Sequence, residues 1–130
     1  MQCISWAAVS SRPQVEGESL DDQADKNKQL IATLNGQTIA DLIVPGESRE
    51  ILDLDTAAAK IAAYAQLRTI INSRGSNLLV CQDLSRLGRE ASLIIQIVRL
   101  CQKSGIALYA RSSPPRSLDA RKQYLYRRYR

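Results

Sequence analysis

The 130-residue sequence contains no histidine. That absence excludes every Ser-His-Asp or Cys-His catalytic device, the histidine-containing zinc sites and any imidazole-based pH switch. A Gly-rich phosphate loop of the Walker type is also missing, and no Gly-x-Gly-x-x-Gly follows the first apolar run, which argues against a small nucleotide-binding module. No apolar stretch approaches the roughly 20 residues needed to cross a membrane, and Met1 opens no signal-peptide pattern, so a soluble, cytoplasmic protein is expected. The three cysteines, Cys3, Cys81 and Cys101, form no close pair, and an odd number cannot all pair within one chain. Each lies in an apolar run and reads as a reduced, buried small hydrophobe rather than a metal ligand or nucleophile. No metal cluster, internal repeat or low-complexity tract is evident, and no cofactor is expected.

What is present suits one globular domain: 14.4 kDa, 45% hydrophobic and 24% charged residues. The net charge of +5 is unevenly placed. From Arg111 onward, seven basic residues stand against the single acid Asp119, whereas residues 1–110 carry a net charge of −1. The body is near neutral and the end cationic.

Cys3 to Val9 is a short apolar run closed by Ser10-Ser11-Arg12-Pro13, the pattern of a buried strand entering a loop. Ser19, with Asp22 three residues on, reads as an N-cap with an acid in the first turn. Leu20, Ala24, Leu30, Ile31 and Leu34 then give a partly apolar helical face, stopped at Asn35-Gly36. Thr38 to Val44 is a second strand, ended by Pro45-Gly46. Asp55-Thr56 starts an alanine-rich helix in which Ile61, Tyr64, Ala65, Leu67, Arg68 and Ile71 recur at helical spacing. Asn77 to Cys81 is a third strand, 82–89 a loop, Glu90 to Ser104 a helix ended by Gly105, and Ile106 to Ala110 a fourth strand. Pro114-Pro115 breaks the chain before Ser117 to Arg130, which reads as the start of a further helix.

Alternation of strands with helices long enough to act as crossovers predicts a three-layer α/β domain, with a largely parallel central sheet of four to five strands. In such sheets the loops after the carboxyl ends of the strands carry the chemistry. Here these are 10–18, 45–50, 82–89 and 111–116, and they hold Ser10, Gln14, Ser48, Arg49, Asp83, Ser85, Arg86 and Arg89. A hydroxyl at the end of the first strand with arginines on another such loop points to phosphate chemistry, because the planar guanidinium matches phosphate oxygens and keeps its charge. Without histidine, a serine nucleophile is activated by arginine-assisted electrostatics or a carboxylate base. The same residues also admit a plainer reading, with Ser10-Ser11 as turn residues before Pro13 and Arg86 and Arg89 as surface charges at a helix start.

Four stretches together resemble the serine recombinase (resolvase/invertase) family. Trp6-Ala7-Ala8-Val9-Ser10-Ser11-Arg12-Pro13-Gln14 is similar to the family's opening Tyr-Ala-Arg-Val-Ser-Thr-x-x-Gln. Ser19-Leu20-Asp21-Asp22-Gln23 is similar to its Ser-Leu-x-x-Gln, and Gly46-Glu47-Ser48-Arg49 to the Ser-Gly region after its second strand. Asp83-Leu84-Ser85-Arg86-Leu87-Gly88-Arg89 resembles its Leu-Asp-Arg-Leu-Gly-Arg. The motifs keep the family's order, at nearly its spacing, and span about residues 3 to 110.

The resemblance implies a resolvase-like catalytic domain over 1–112 that cleaves and rejoins double-stranded DNA. Ser10 would be the nucleophile, leaving a covalent phosphoserine link to the DNA end. Arg86 and Arg89 would hold the scissile phosphate, with Gln14, Gln23 and Ser48 positioning the phosphate or the loop. Bond energy kept in the phosphoserine lets rejoining proceed without ATP or metal. Three positions depart from the family pattern. Ala8 stands where the family has a first-strand arginine, for which Arg12 or Arg49 are the candidate replacements. Ser85 stands at the motif's aspartate, with Asp83 the nearby candidate acid, and Ala57-Ala58-Ala59 stands where an arginine opens the helix after the second strand. A catalytically impaired domain acting in assembly or DNA binding is therefore the alternative reading. The resemblance further implies a homo-oligomer, a dimer that becomes a tetramer in the full-length synaptic complex. Residues 113–130 would be the truncated start of the basic interface helix. Tyr124, Tyr126 and Tyr129, interleaved with Arg127, Arg128 and Arg130, also suit a phosphate backbone.

Overall fold

The computed structural model describes residues 1–9, 18–45 and 51–113. Four strands, β1 (Gln2–Ala8), β2 (Gln37–Val44), β3 (Leu78–Cys81) and β4 (Ala107–Ala110), form one sheet in the order β2-β1-β3-β4. Every pairing is parallel, as the strand–helix alternation predicts. The apolar character of each strand follows its place. Every residue of the interior strand β3 is buried, because helices cover both faces of a parallel sheet. The edge strand β2 alternates instead, leaving Ile39, Asp41 and Ile43 outward and Leu42 and Val44 buried towards its carboxyl end.

Helix α1 (Leu20–Thr33) covers one face. Ser19 caps it as expected: the Ser19 Oγ accepts from the Asp22 amide at 3.1 Å. The stop at Asn35-Gly36 also stands. Asn35 takes a left-handed φ of 60°, and the Gly36 amide turns back to donate to the Ile31 carbonyl at 2.8 Å. A β-carbon at Gly36 would lie 2.8 Å from the Cys3 Sγ, so the close approach of this turn to β1 requires the glycine.

The opposite face carries α2 (Leu54–Lys60), α3 (Ala62–Ser73) and α4 (Ala91–Lys103). Here the structure corrects the expected single alanine-rich helix. Its cap is Asp53, whose Oδ1 accepts from the Thr56 amide at 2.7 Å, and Ile61 breaks it with extended dihedrals of −130° and 118°. The main core lies on this side: Ile4, Trp6 and Ala8 of β1 meet Leu67, Ile71 and Ile97 of the helices. The smaller cluster on the α1 side includes Cys3, Ile31, Val80 and Tyr109. All three cysteines are free and buried, and burial pushes the thiols of Cys81 and Cys101 up to about 12. They stay protonated and pack as hydrophobes. No helix among the described residues is long and apolar enough to cross a membrane.

Candidate active site

β1 outruns β3. Its last partner on β3 is Val80, opposite Ser5, so Trp6, Ala7 and Ala8 project past that neighbour. Side chains take over where the ladder stops. The Gln23 amide, from the first turn of α1, accepts from the Ala8 N–H at 3.1 Å and donates to the Ala8 carbonyl at 3.0 Å. Gln23 is 1% exposed, and its Nε2 also donates to the Glu18 carbonyl at 3.3 Å. One buried amide thus holds the end of β1 against the start of α1.

The 82–89 loop is more ordered than a loop assignment implies, because Leu84–Leu87 forms a 3₁₀ turn. Asp83 caps it: its Oδ1 accepts from the Ser85 amide at 2.9 Å and from the Ser85 hydroxyl. The turn directs Arg86 inward. That side chain is 6% exposed, and its Nη1 donates to the Ala8 carbonyl at 3.1 Å. A neutral carbonyl does not cancel the guanidinium charge. The turn's own carbonyls are held from the core: the Trp6 indole Nε1 donates to the Arg86 carbonyl at 2.8 Å, and the Tyr64 hydroxyl donates to the Leu87 carbonyl at 2.8 Å.

Of the candidate residues read from the sequence, the structure brings Arg86, Gln23 and Asp83 to the carboxyl edge of the sheet. Arg89 lies exposed at the approach to α4. Ser10, Arg12, Gln14, Ser48, Arg49 and the basic segment 114–130 lie outside the described residues. The Ala8 side chain, at the position of the family's first-strand arginine, points into the main core and is 5% exposed. Among the described residues, no group of three or more Cys, Asp or Glu side chains is placed to hold a metal ion.

Sequence reasoning missed a second polar cluster on the α1 face. Asn27 is fully buried; its Nδ2 donates to the Ser5 Oγ at 3.1 Å and the Trp6 carbonyl at 2.9 Å. Arg111, just past β4, donates from Nε to the Asn27 Oδ1 at 2.7 Å and from Nη2 to the Glu18 Oε1 at 2.8 Å. The Arg111 guanidinium, and less so Lys26, holds the Glu18 carboxyl below its ordinary range. The available signal was Asn27 itself, a polar residue between Ala24 and Ile31 on the buried stripe of α1.

With that geometry in place, comparison with known proteins decides the family. The model of the resolvase N-terminal domain matches residues 4–126. The chain belongs to the resolvase family. The N-terminal catalytic domain of TP901-1 integrase shares this resolvase fold with a TM-score of 0.69 at 18% identity, covering 98% of this chain and 91% of that one. The C-terminal catalytic domain of ISC1926 TnpA, an IS607-like serine recombinase, gives 0.66 at 15% identity, over 98% of this chain and 76% of its own. A resolvase family site-specific recombinase from Streptococcus pneumoniae gives 0.63 at 20% identity, over 85% and 71%. No curated protein matches the sequence.

Gly88 of the resolvase motif has a physical reason to be glycine. Its φ of −179° is ordinary extended backbone, but a β-carbon there would sit 2.8 Å from the Leu93 Cδ2 and 3.0 Å from its Cγ. Leu93 is buried in the core, so the whole side chain would have to move. Gly88→Ala is expected to lower stability by about 1–3 kcal/mol, the usual cost of overpacking, read as a fall in the thermal unfolding midpoint.

Proposed function

We propose that this chain is the catalytic domain of a site-specific DNA recombinase, cleaving and rejoining DNA through a covalent phosphoserine at Ser10. The observation that carries the reading is the buried Arg86 guanidinium, held on the carbonyl of Ala8 two residues before Ser10. Among the described residues the partner is a neutral carbonyl, and a buried cation so placed is left short of an anion, which a DNA phosphate would supply. Arginine's fork suits two phosphate oxygens at once.

In the proposed step the Ser10 Oγ attacks phosphorus. The Oγ–P bond forms, the bond from phosphorus to one DNA oxygen breaks, the serine proton passes to water or a nearby base, and the departing oxygen is protonated. Rejoining is the reverse attack by a DNA hydroxyl on the phosphoserine, so no high-energy cofactor enters. Arg86, with Arg89 from the same loop, offsets charge gathering on the phosphoryl oxygens, on the order of 3 kcal/mol for each well-placed donor. Gln23 holds the strand that leads to Ser10, and Asp83 holds the turn that carries Arg86. Gln14, Ser48, Arg12 and Arg49 are proposed to support phosphate or loop. The catalytic unit is proposed to span 1–112, with 113–130 opening a basic interface helix used in homo-oligomeric assembly on double-stranded DNA.

One observation favours a second reading, a domain retained for assembly or DNA binding alone. The Ala8 methyl lies in the core where the family pattern has a cation. The natural protein, incubated with duplexes from the genomic sequence flanking its gene, separates the two. Cleavage gives a protein–DNA adduct that survives denaturing electrophoresis and disappears in Ser10→Ala. DNA retention without any adduct establishes the second reading, and an adduct that persists in Ser10→Ala removes Ser10 as nucleophile.

A further inference from the structure

Trp6 and Tyr64 have no place in the proposed phosphoryl transfer, yet both spend buried polar hydrogens on the backbone of the arginine-bearing turn. Trp6 lies on β1 and Tyr64 on α3, so two separate elements grip adjacent carbonyls, those of Arg86 and Leu87, each at 2.8 Å. The two rings also pack edge to face, with centroids 4.9 Å apart and planes at 62°. Trp6 is 0% and Tyr64 4% exposed, and Leu87 beside them is fully buried. Burial also pushes the Tyr64 hydroxyl up to about 12, so it remains a donor throughout the working range.

We infer that Trp6 and Tyr64 are positioning residues, an aromatic bracket that sets the backbone of the 3₁₀ turn and thereby the height at which the Arg86 guanidinium meets the end of β1. The inference rests on the phosphoryl-transfer role proposed for Arg86. Its physical basis is geometric. A 3₁₀ turn of four residues has little hydrogen bonding of its own, and its carbonyls need outside donors when buried. Supplying them from a rigid ring pair, rather than from water, fixes the turn to the sheet and not to solvent. Arg86 then closes a loop of contacts: its carbonyl is tied to Trp6 and its side chain to Ala8, two residues along the same strand. The arginine is thus referenced to β1, which ends two positions before Ser10 in the sequence. A misplacement on the order of 1 Å at such a group is enough to cost about 100-fold in rate.

Tyr64→Phe and Trp6→Phe keep an aromatic ring and remove the donor. Each is expected to slow formation of the Ser10–DNA adduct at least about tenfold, while the DNA retained changes less than about twofold and the variants still unfold cooperatively. Loss in proportion to unfolded protein, or a wild-type rate, overturns the inference. A readout independent of cleavage is available because Trp6 is the sole tryptophan, giving a single indole N–H resonance. Adding a 20-base-pair duplex (about that length suffices to cover the domain) is expected to shift this resonance in the wild type and not in Arg86→Ala. An indole that ignores bound duplex in the wild type sinks the bracket even where adducts form. An indole that responds while no adduct forms sustains the bracket and removes the cleavage reading instead.

Discussion

Arg86→Ala is expected to reduce Ser10–DNA adduct formation about 1,000-fold while leaving the domain folded. The kinetic loss follows from withdrawing a preorganised cation from the phosphoryl oxygens, where a single donor is worth about 100- to 1,000-fold. Survival of the fold follows from the local hydrogen bonding. Removing the guanidinium does not orphan the Ala8 carbonyl, which keeps the Gln23 Nε2 at 3.0 Å, and the turn keeps its bonds from Trp6 and Tyr64 because these go to main-chain oxygens. The stability change should then be close to that of one hydrogen bond, about 1 kcal/mol, offset in part by relief of a buried charge. Arg86→Lys is expected to recover little of the rate, since an ammonium cannot reach the Ala8 carbonyl and present a two-pronged donor to phosphate at once. Single-turnover adduct formation, read beside thermal unfolding, tests both statements. A variant that cleaves within tenfold of wild type places the phosphate elsewhere. One that fails to fold assigns Arg86 a structural role instead.

The sheet was legible in the sequence because its chemistry is local. Leu78 to Cys81 and Ala107 to Ala110 are apolar throughout, as strands covered on both faces must be, and the caps at Ser19 and Asn35-Gly36 are short-range devices. The break at Ile61 was not legible. Ala57, Ala63, Tyr64, Leu67 and Ile71 keep a near-helical spacing straight through it, and Ile61 carries no side-chain cap to mark a new helix. The helix start was placed at Asp55-Thr56, whereas the fold caps it two residues earlier, at Asp53. At the site, Arg86 was found through its motif, but its dependence on Trp6 crosses 80 positions and appears in no local pattern. The pairing of Arg111 was missed for the same reason. Beside Arg116 and Arg121 it read as the first charge of a basic segment, whereas in the fold it pairs with Glu18, 93 positions away. Long-range polar contacts of this kind leave no periodicity behind.

Arg111 underlies the largest expected effect on stability: Arg111→Ala should destabilise the domain by about 3 kcal/mol. The Arg111 and Glu18 side chains are 14% and 19% exposed, so both ions are largely removed from water. Among the described residues, the substitution leaves the Glu18 carboxylate with Lys26 alone, a lysine 54% exposed, and strips the Asn27 Oδ1 of its 2.7 Å donor. Breaking a half-buried pair from one side costs more than the pair contributes, because the remaining charge and the fully buried Asn27 amide are left unsatisfied. Arg111→Lys should recover only part of the loss, since one ammonium cannot serve Asn27 and Glu18 as the fork does. The effect carries a pH signature. Glu18 has a lowered folded-state pKa, chiefly from the Arg111 hydrogen bond, so its contribution is complete above the ordinary glutamate range and is lost as pH falls through the lowered value. In Arg111→Ala that depression relaxes, and the gap between wild type and variant should be widest near neutrality and narrow in acid. Urea unfolding across pH measures it, and a gap independent of pH would show that packing, not the ion pair, was lost. The consequence for the site is indirect but definite. Gln23 donates to the Glu18 carbonyl as well as to Ala8, so loosening Glu18 loosens the clamp on the strand leading to Ser10, from the face of the sheet opposite Trp6 and Tyr64.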